Sequence, residues 1–135
     1  MDQLETKRHA VFKLQYHLVL VTKYRRKCIN ADMLVRLKQI CFDMMEKWDC
    51  LLLEVSGESD HIHLLFSTPP SIKLSTLINN IKTVTSRYMR KEFPERLREF
   101  YLKNYFWSAS YCIISSGGAP IAVLKKYIES QDMEK

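Results

Sequence analysis

The amino-acid sequence predicts a single α+β domain built on an antiparallel sheet. Three observations support this prediction: several segments alternate apolar and polar residues with period two, two long segments carry apolar residues at helical spacing, and turn-forming residues separate the segments. With 135 residues, 47% of them hydrophobic, the chain can bury one core and is too short for two ordinary domains. We therefore expect one domain over residues 1–135, with its core over about 10–114.

The first strand and the first helix fill the N-terminal third of the chain. From Val11 to Val21 apolar residues alternate with polar ones, among them His17, which predicts a strand with one wetter face. Asn30 is then a suitable N-cap for the first helix. The apolar residues of this helix recur at three-to-four spacing and are Leu34, Leu37, Cys41, Met44, Met45 and Trp48.

A β-hairpin should follow the first helix. Residues 51–55 form a short apolar strand, residues 56–60 have turn chemistry, and residues 61–67 alternate as a second strand. Because side chains alternate faces along a strand, His61 and His63 point the same way. Two nitrogen donors therefore share one face at the start of a central strand.

A second helix and a fourth strand complete the predicted sheet. Pro69 and Pro70 end the hairpin, and Ser71 is a candidate cap for a long helix with an apolar stripe. That stripe is formed by Leu74, Leu77, Ile78, Ile81, Val84 and Tyr88. A polar break over 93–99 precedes a fourth strand over 105–114, which is predicted from its aromatic and β-branched content.

The resulting order of elements, β-α-β-β-α-β, is that of a ferredoxin-like sandwich, in which two helices cover one face of an antiparallel sheet. Gly117 and Gly118 then form a flexible joint, and a terminal helix over about 119–132 follows. The ferredoxin-like plan does not require this last helix. A helix tied by two glycines is a candidate for exchange between protomers.

Charge, cysteines and hydropathy indicate the environment and the partners. Twenty-one Lys and Arg against fifteen Asp and Glu give a net charge of +6 and a pI near 9.2, which suits a polyanion but also occurs in ordinary soluble domains. The four cysteines form no C-x-x-C pair and fall largely in patterned apolar segments, which favours buried thiols in a reducing compartment. The polar N-terminus and the lack of a long apolar run argue against a signal peptide or a membrane span. We expect a cytoplasmic protein.

The terminal helix carries a second pair of polar groups. Tyr127 and Gln131 are four residues apart and therefore lie on the same face of a helix. Two neutral imidazoles and an amide oxygen can bind a divalent cation with positions left open, and a nearby phenol can act as a nucleophile. Each pair alone also has a plain structural interpretation, as hydrogen-bonded strand histidines or as a core aromatic beside a solvated amide. Together the two pairs favour a metal-dependent nucleophilic site.

These motifs occur in an order that resembles one known family. Asp60-His-Ile-His63 follows a glycine three positions earlier, and Phe106-Trp-Ser-Ala-Ser-Tyr111, the Gly-Gly joint and Lys125-Lys-Tyr-Ile-Glu-Ser-Gln131 come later. The chain resembles the single-tyrosine transposases of the smallest prokaryotic insertion sequences, in the superfamily named for its His-hydrophobic-His motif. The resemblance covers roughly residues 10–132 and includes Lys23-Tyr-Arg-Arg26 after the first strand.

The resemblance implies a site and a reaction. It puts the metal ligands on His61, His63 and Gln131 and the nucleophile on Tyr127, with Mg²⁺ or Mn²⁺ as the cofactor. It implies cleavage and rejoining of single-stranded DNA at insertion-sequence ends through a 5′-phosphotyrosine, with recognition of subterminal hairpins. It also implies a homodimer with shared active sites, in which Tyr127 of one subunit meets the histidines of the other, and Gly117 and Gly118 act as the hinge.

The residues that would contact DNA are less specific. Basic residues after the first strand and on the second helix are candidates for phosphate contacts, although each is equally well interpreted as part of a solvated charged face. They are Arg25, Arg26, Lys27, Lys82, Arg87 and Arg90.

Other functions stay open at this point. A related tyrosine nuclease acting on genomic palindromes would share the chemistry. A non-enzymatic nucleic-acid-binding module would share the β-α-β-β-α-β plan, but such modules display aromatic residues where this strand presents His61 and His63. A zinc hydrolase is disfavoured, because no Glu or Asp at recognisable spacing completes a ligand set with a general base. The sequence therefore favours an enzyme.

Overall fold

The computed structural model describes residues 5–7, 10–12, 14–116 and 121–131. In chain order its elements are β1 (Glu5–Lys7), β2 (Ala10–Phe12), β3 (Gln15–Val21), α1 (Ala31–Lys47), β4 (Leu51–Glu58), β5 (His61–Ser67), α2 (Leu74–Glu92), α3 (Pro94–Arg98), β6 (Cys112–Ser115) and α4 (Ile121–Ser130). Four strands form one antiparallel sheet in the order β4-β5-β3-β6, while β1 and β2 pair with each other. This order confirms the predicted ferredoxin-like α+β plan.

One face of the sheet packs against α1 and α2. In the two central strands Leu18 lies opposite Leu64 and Leu20 lies opposite Ile62, and all four are fully buried. They form one cluster with the buried residues of both helices, which are Met33, Leu37, Ile40, Cys41, Met44, Met45, Leu77, Ile78, Ile81 and Met89. The two main helices therefore cover the same face, as the sequence predicts.

Asn30 begins α1 in the predicted way. Its side-chain oxygen accepts a hydrogen bond from the backbone N–H of Met33 at 2.9 Å, which satisfies one of the open N–H groups of the first turn. The helix ends at Lys47, and Asp49 adopts a left-handed φ of 59° where the chain turns into β4. The helix therefore leads directly into the central hairpin.

The predicted cap of the second helix is wrong. α2 begins at Leu74, and the residue in its N-cap position, Lys73, makes no capping hydrogen bond with its side chain. Ser71 belongs to the preceding turn, in which the N–H of Ile72 donates to the carbonyl of Pro69 at 3.3 Å. Ser71 is therefore part of the turn that follows the hairpin, and the helix starts only at Leu74.

The first strand is shorter than predicted. β3 starts at Gln15 instead of Val11, because residues 10–12 pair with β1 as a separate hairpin. The predicted polar break over 93–99 contains the short helix α3, which begins with Pro94 in its first turn. Neither difference changes the order of strands in the main sheet.

The fourth strand is also shorter than predicted, since only Cys112–Ser115 pairs with β3. The segment that precedes this strand is held by contacts with other parts of the fold. Trp107 bridges to Thr22, and the ammonium of Lys82 donates to the backbone carbonyls of Ser108 and Ala109 at 2.8 and 2.9 Å. These carbonyls are satisfied by a side chain, so the segment does not need a neighbouring strand.

The terminal helix covers part of the opposite face of the sheet. Leu124 of α4 is buried with Val19 and Val21 of β3, and Tyr127 and Ile128 pack against this cluster. The hinge that the sequence predicts at Gly-Gly 117–118 lies outside the described residues. In the described ranges no helix has the length and apolar content of a membrane-spanning segment.

Candidate active site

His61 and His63 lie on the face of the sheet that α4 covers. Both are half-buried, and in the register of β3 with β5 His63 is opposite Val19 and His61 is opposite Val21. Directly opposed residues of an antiparallel pair project to the same face. The two histidines therefore border the valines against which α4 packs, on the side away from the main core.

A carboxylate fixes the orientation of His61. Asp60 is only 7% exposed, and its Oδ1 lies 2.8 Å from Nδ1 of His61. An ionised carboxylate can only accept, so His61 donates from Nδ1, and its other ring nitrogen, Nε2, takes no part in this hydrogen bond. Burial raises the pKa of Asp60, but hydrogen bonds from His61 and Arg25 outweigh this effect and hold that pKa below its usual value.

Arg25 links this pair to the terminal helix. Tyr24 and Arg25 have left-handed φ values of 58° and 55° in the short turn after β3. From this turn Nε of Arg25 donates to Oδ2 of Asp60 at 3.3 Å, and Nη1 donates to the carbonyl of Glu129 at 3.4 Å. Because the C-terminal end of a helix carries negative partial charge, a guanidinium at the end of α4 is favourable.

His63 contacts a third imidazole, that of His17. Nδ1 of His17 lies 2.8 Å from Nε2 of His63. The two ring planes differ by 14° and their centroids are 5.0 Å apart. Burial lowers the pKa of His63, and the neighbouring His17 lowers it further, so His63 is neutral at pH 7.

Ser110 joins the two predicted functional residues of α4. Its Oγ lies 2.8 Å from the hydroxyl of Tyr127 and 3.2 Å from Oε1 of Gln131. A serine hydroxyl has one proton, which Ser110 gives to the amide oxygen, so the phenol donates to Ser110. Burial raises the pKa of Tyr127 above its usual value, and this effect is offset only in part because the Ser110 hydroxyl can turn and donate to the phenolate.

The structure brings three of the predicted site residues, Tyr127, His61 and His63, to one face of the sheet. In the described part of the chain, Gln131 hydrogen-bonds to Ser110 and to the carbonyl of Tyr127, and neither of these contacts involves a histidine. The described residues also hold no group of three or more His, Cys, Asp or Glu side chains arranged for a metal ion. A ligand set built on the two histidines would therefore need another type of residue, such as an amide.

Two of the predicted DNA-binding residues have structural partners. Arg25 is bound to Asp60 and to the end of α4, and Lys82 holds the carbonyls before β6. Burial lowers the pKa of Lys82, and the positive charge of Lys23 lowers it further. Both side chains therefore already make hydrogen bonds within the protein.

The other four predicted DNA-binding residues lie at the surface. The guanidinium of Arg26 is 5.5 Å from the ring centre of Tyr24, and Arg90 donates to Ser86 at 3.2 Å. The side chains of Lys27 and Arg87 are exposed to solvent.

Sequence reasoning missed the roles of three residues at this site. His17 lies on the wetter face of the predicted first strand, and it becomes significant only once β3 pairs with β5. Asp60 directly precedes the histidine motif, which is the signal that could have found it. Ser110 falls in a segment predicted as strand, and nothing in the sequence points to its contact with α4.

Comparison with known proteins settles the family. The family model described as "Transposase IS200 like" matches residues 10–131 of the chain. The chain belongs to the IS200-like transposase family. The match includes the histidine strand, the segment around Ser110 and the whole of α4, so it confirms the family that the motifs indicate.

Curated relatives of this transposase cover nearly the same length. The ISDra2 transposase TnpA of Deinococcus radiodurans is 30% identical over 129 residues, which make up 96% of this chain and 91% of that protein. The transposase for insertion sequence element IS200 of Salmonella typhimurium is 27% identical over 123 residues, which make up 91% of this chain and 80% of that protein.

Solved structures agree with the transposase fold. A Deinococcus radiodurans R1 protein described as a transposase superposes with a TM-score of 0.87 at 28% identity, covering 96% of this chain and 99% of that one. A REP-associated tyrosine transposase bound to a REP hairpin superposes with a TM-score of 0.58, covering 94% of this chain and 69% of that one. At 12% identity the second likeness shows the fold alone.

Proposed function

We propose that this transposase cleaves and rejoins single-stranded DNA at insertion-sequence ends through a covalent 5′-phosphotyrosine on Tyr127, assisted by a divalent cation. The observation that carries the proposal is the packing of Tyr127 against the apolar cluster of Leu124, Val19 and Val21. Val19 and Val21 are the direct cross-strand neighbours of His63 and His61. A phenol and two imidazoles from distant parts of the sequence therefore lie on one face of the sheet. This combination supports nucleophilic attack on a phosphate held by a metal ion.

The chemistry of the donor groups fits a divalent cation. His63 is neutral and can offer a lone pair. Since Nδ1 of His61 is bonded to Asp60, His61 would bind a cation through the lone pair that Nε2 carries in the neutral ring. The amide oxygen of Gln131 has two lone pairs, so the hydrogen bond from Ser110 leaves one of them available. His61, His63 and Gln131 would hold Mg²⁺ or Mn²⁺. When bound, such an ion neutralises negative charge that builds up on the scissile phosphate.

Tyr127 supplies the covalent chemistry in this proposal. Its phenol oxygen attacks phosphorus, the bond from phosphorus to the 3′ oxygen breaks, the phenol loses its proton and the departing 3′ oxygen gains one. The products are a 5′-phosphotyrosine on one DNA fragment and a free 3′-hydroxyl on the other. Because the new bond is also a phosphate ester, a different 3′-hydroxyl can reverse the step without ATP. Strand joining during excision and insertion requires this reversibility.

We propose single-stranded DNA that carries a hairpin as the substrate. The REP-associated transposase with the same fold is bound to a REP hairpin. In this chain Lys82, Arg90 and Asn104 line a cleft of ≈ 300 Å³. Nearby, the ammonium of Lys23 lies 5.2 and 5.1 Å from the ring centres of Tyr24 and Tyr105. Cations beside aromatic rings suit phosphate contacts together with stacking of unpaired bases.

We also propose a homodimer whose active sites are shared between subunits. In the single chain, α4 is held to its own sheet by one small apolar cluster around Leu124 and by a few hydrogen bonds from Arg25 and Ser110. The sequence before α4 contains Gly117 and Gly118. Since a second copy presents the same face, exchange of α4 between copies needs no new type of contact.

The direct test is incubation with labelled single strands from the flanks of the gene, each carrying a hairpin, in the presence of Mg²⁺ or Mn²⁺. We expect a labelled covalent adduct of the protein on a denaturing gel. Tyr127→Phe should abolish the adduct and leave DNA binding intact, because it removes only the hydroxyl.

Tyr88→Phe is the matched control for this test. Tyr88 lies on α2, on the other side of the sheet, where its ring packs beside the guanidinium of Arg36. The adduct should persist in this variant. An adduct that survives in Tyr127→Phe would assign the nucleophile to another residue.

A further inference from the structure

His17 is the one imidazole on this face of the sheet, among the described residues, that the proposed reaction leaves without a role. It lies on β3 opposite Leu65, and His63 lies one pleat further along β5, opposite Val19. Such diagonal neighbours on one face are within reach of ring side chains. The two rings meet through Nδ1 of His17 and Nε2 of His63 at 2.8 Å.

The geometry of this contact is that of an in-plane hydrogen bond. The planes of the two rings differ by only 14°. The centroid separation of 5.0 Å is what an N–H···N bond of 2.8 Å leaves between two rings lying side by side in one plane. Rings stacked face to face would be too far apart at this centroid distance to share a short nitrogen contact of this kind. One ring therefore donates a proton and the other accepts it.

The direction of that bond determines what His63 can do. A neutral imidazole has one N–H and one lone pair, on different nitrogens. If Nε2 of His63 donates to His17, then Nδ1 of His63 carries the lone pair. Histidines that bind metals almost always donate their other ring N–H to a fixed acceptor, which sets the tautomer and the ring orientation.

His61 shows the same arrangement with a different acceptor. Its Nδ1 is bonded to the buried carboxylate of Asp60 at 2.8 Å, so in the neutral ring the lone pair is on Nε2. Each histidine of the motif thus has one ring nitrogen engaged by a neighbouring side chain, namely Asp60 for His61 and His17 for His63.

We propose that His17 is a positioning residue for His63: it accepts the Nε2 proton of His63 on its own Nδ1, fixes the ring, and leaves Nδ1 of His63 as the nitrogen that binds the cation. This inference rests on the proposed function, because it assigns His17 a role only at a metal site. It gives His17 the part for His63 that Asp60 plays for His61.

The first test reads the tautomers in the protein without metal. A long-range proton–nitrogen correlation spectrum, recorded where the imidazoles are neutral, identifies which nitrogen of each ring carries the proton. The chain has four histidines, so replacing them one at a time assigns every signal. We expect His63 to carry its proton on Nε2 and His17 on Nε2 as well. A proton on Nδ1 of both rings would overturn the proposal.

The second test compares Mn²⁺ affinity in a matched pair of variants. In His17→Asn the amide oxygen occupies roughly the place of Nδ1 and keeps an acceptor, whereas His17→Leu removes it. We expect His17→Leu to weaken Mn²⁺ binding by about 10- to 100-fold, and His17→Asn to bind within a few-fold of the unaltered protein. A general structural role would not separate these two variants, because both shorten the side chain to a similar size.

The outcomes of the two tests are distinguishable. Equal Mn²⁺ affinity in His17→Leu and the unaltered protein would overturn the role of His17 and leave the proposed function standing. Failure of the unaltered protein to bind Mn²⁺ would contradict both the metal site and the role of His17. If His17→Leu does not fold, as judged by its thermal denaturation, the tautomer of His63 in the unaltered protein decides the question.

Discussion

At the scale of single residues, the site depends on the buried carboxylate of Asp60, which lies against the ring of His61. Asp60 is almost fully buried, yet it remains ionised because Arg25 and His61 both donate to it. A buried carboxylate without such donors would take up a proton instead. The same contacts orient His61, so the group that stabilises the turn before β5 also prepares a ligand.

Asp60→Asn tests this double role, since it keeps the shape and removes the charge. We expect the free energy of unfolding at pH 7 to fall by about 1–3 kcal/mol, because two hydrogen bonds lose their charged acceptor. The pKa of Asp60 in the folded state lies below its reference value of 3.8, so this stabilisation is present above that value and is lost as the pH falls through the folded-state pKa. Urea denaturation across the acid range measures it. A variant as stable as the parent protein at pH 7 would show that the ion pair contributes nothing.

The phenol of Tyr127 gives a second prediction at this scale. Burial raises its pKa above 10.0, so the hydroxyl is protonated at neutral pH. If the phenolate is the attacking form, adduct formation at saturating Mg²⁺ should accelerate about tenfold per pH unit between pH 7 and 9, with no plateau in that range. Single-turnover rates measured across this range test the prediction. A plateau near pH 7 would mean that another group takes the proton.

At the scale of secondary-structure elements, α4 is attached more weakly than the rest of the fold. Among the described residues, its apolar contact is the small cluster of Leu124, Val19 and Val21, against which Tyr127 and Ile128 pack. In contrast, α1 and α2 share the large cluster on the other face. Elements with few buried contacts open locally without unfolding the whole domain. Docking of α4 and global stability should therefore be separable.

Leu124→Ala should show this separation. Removal of a buried leucine costs about 2–5 kcal/mol, and here the loss should fall on the docking of α4. We expect amide hydrogen exchange in α4 to accelerate and the rate of adduct formation to fall, while the main unfolding midpoint changes little. Val123→Ala is the matched control, because Val123 is 42% exposed on the same helix and should change neither quantity. If Leu124→Ala instead lowers the main midpoint and leaves exchange in α4 unaltered, α4 is part of the main cooperative unit.

The elements also show which features can be predicted from sequence. The cap at Asn30 and the period-two strand around His61 depend on local chemistry, and both are found as predicted. The cap at Ser71 is wrong because the turn before α2 takes up that residue. The fourth strand is shorter than expected because Lys82, from a distant helix, satisfies the carbonyls before it. Contacts such as His17 with His63 need the register of two strands, which no local pattern specifies.

At the scale of the whole molecule, the active site is completed either by α4 of the same chain or by α4 of a second copy. In the single chain α4 packs on its own sheet, and the sequence before it contains two glycines. The same contacts would hold α4 of a second copy on that face, and a shared site would then combine the histidines of one subunit with the tyrosine of its partner.

Mixing two inactive variants distinguishes these arrangements. Tyr127→Phe lacks the nucleophile and His63→Ala lacks a ligand, so neither should form an adduct alone. If sites are shared, a mixed dimer contains one site with both groups intact, and we expect a random mixture to regain up to about one quarter of the parent adduct yield. Only the His63→Ala subunit, which retains the tyrosine, should carry the label. A mixture that stays inactive although mixed dimers form would mean that each chain uses its own α4.

In the proposed reaction the hydroxyl of Tyr127 forms a covalent bond to DNA, and mass spectrometry of the digested adduct can locate this bond. Cleavage after lysine releases the peptide Tyr-Ile-Glu-Ser-Gln-Asp-Met-Glu-Lys, which covers residues 127–135 and whose only tyrosine is Tyr127. After nuclease digestion of the DNA, we expect this peptide to carry a nucleotide linked through its 5′ phosphate to the tyrosine. A nucleotide on any other peptide, or DNA cleavage with no peptide modified, would contradict it.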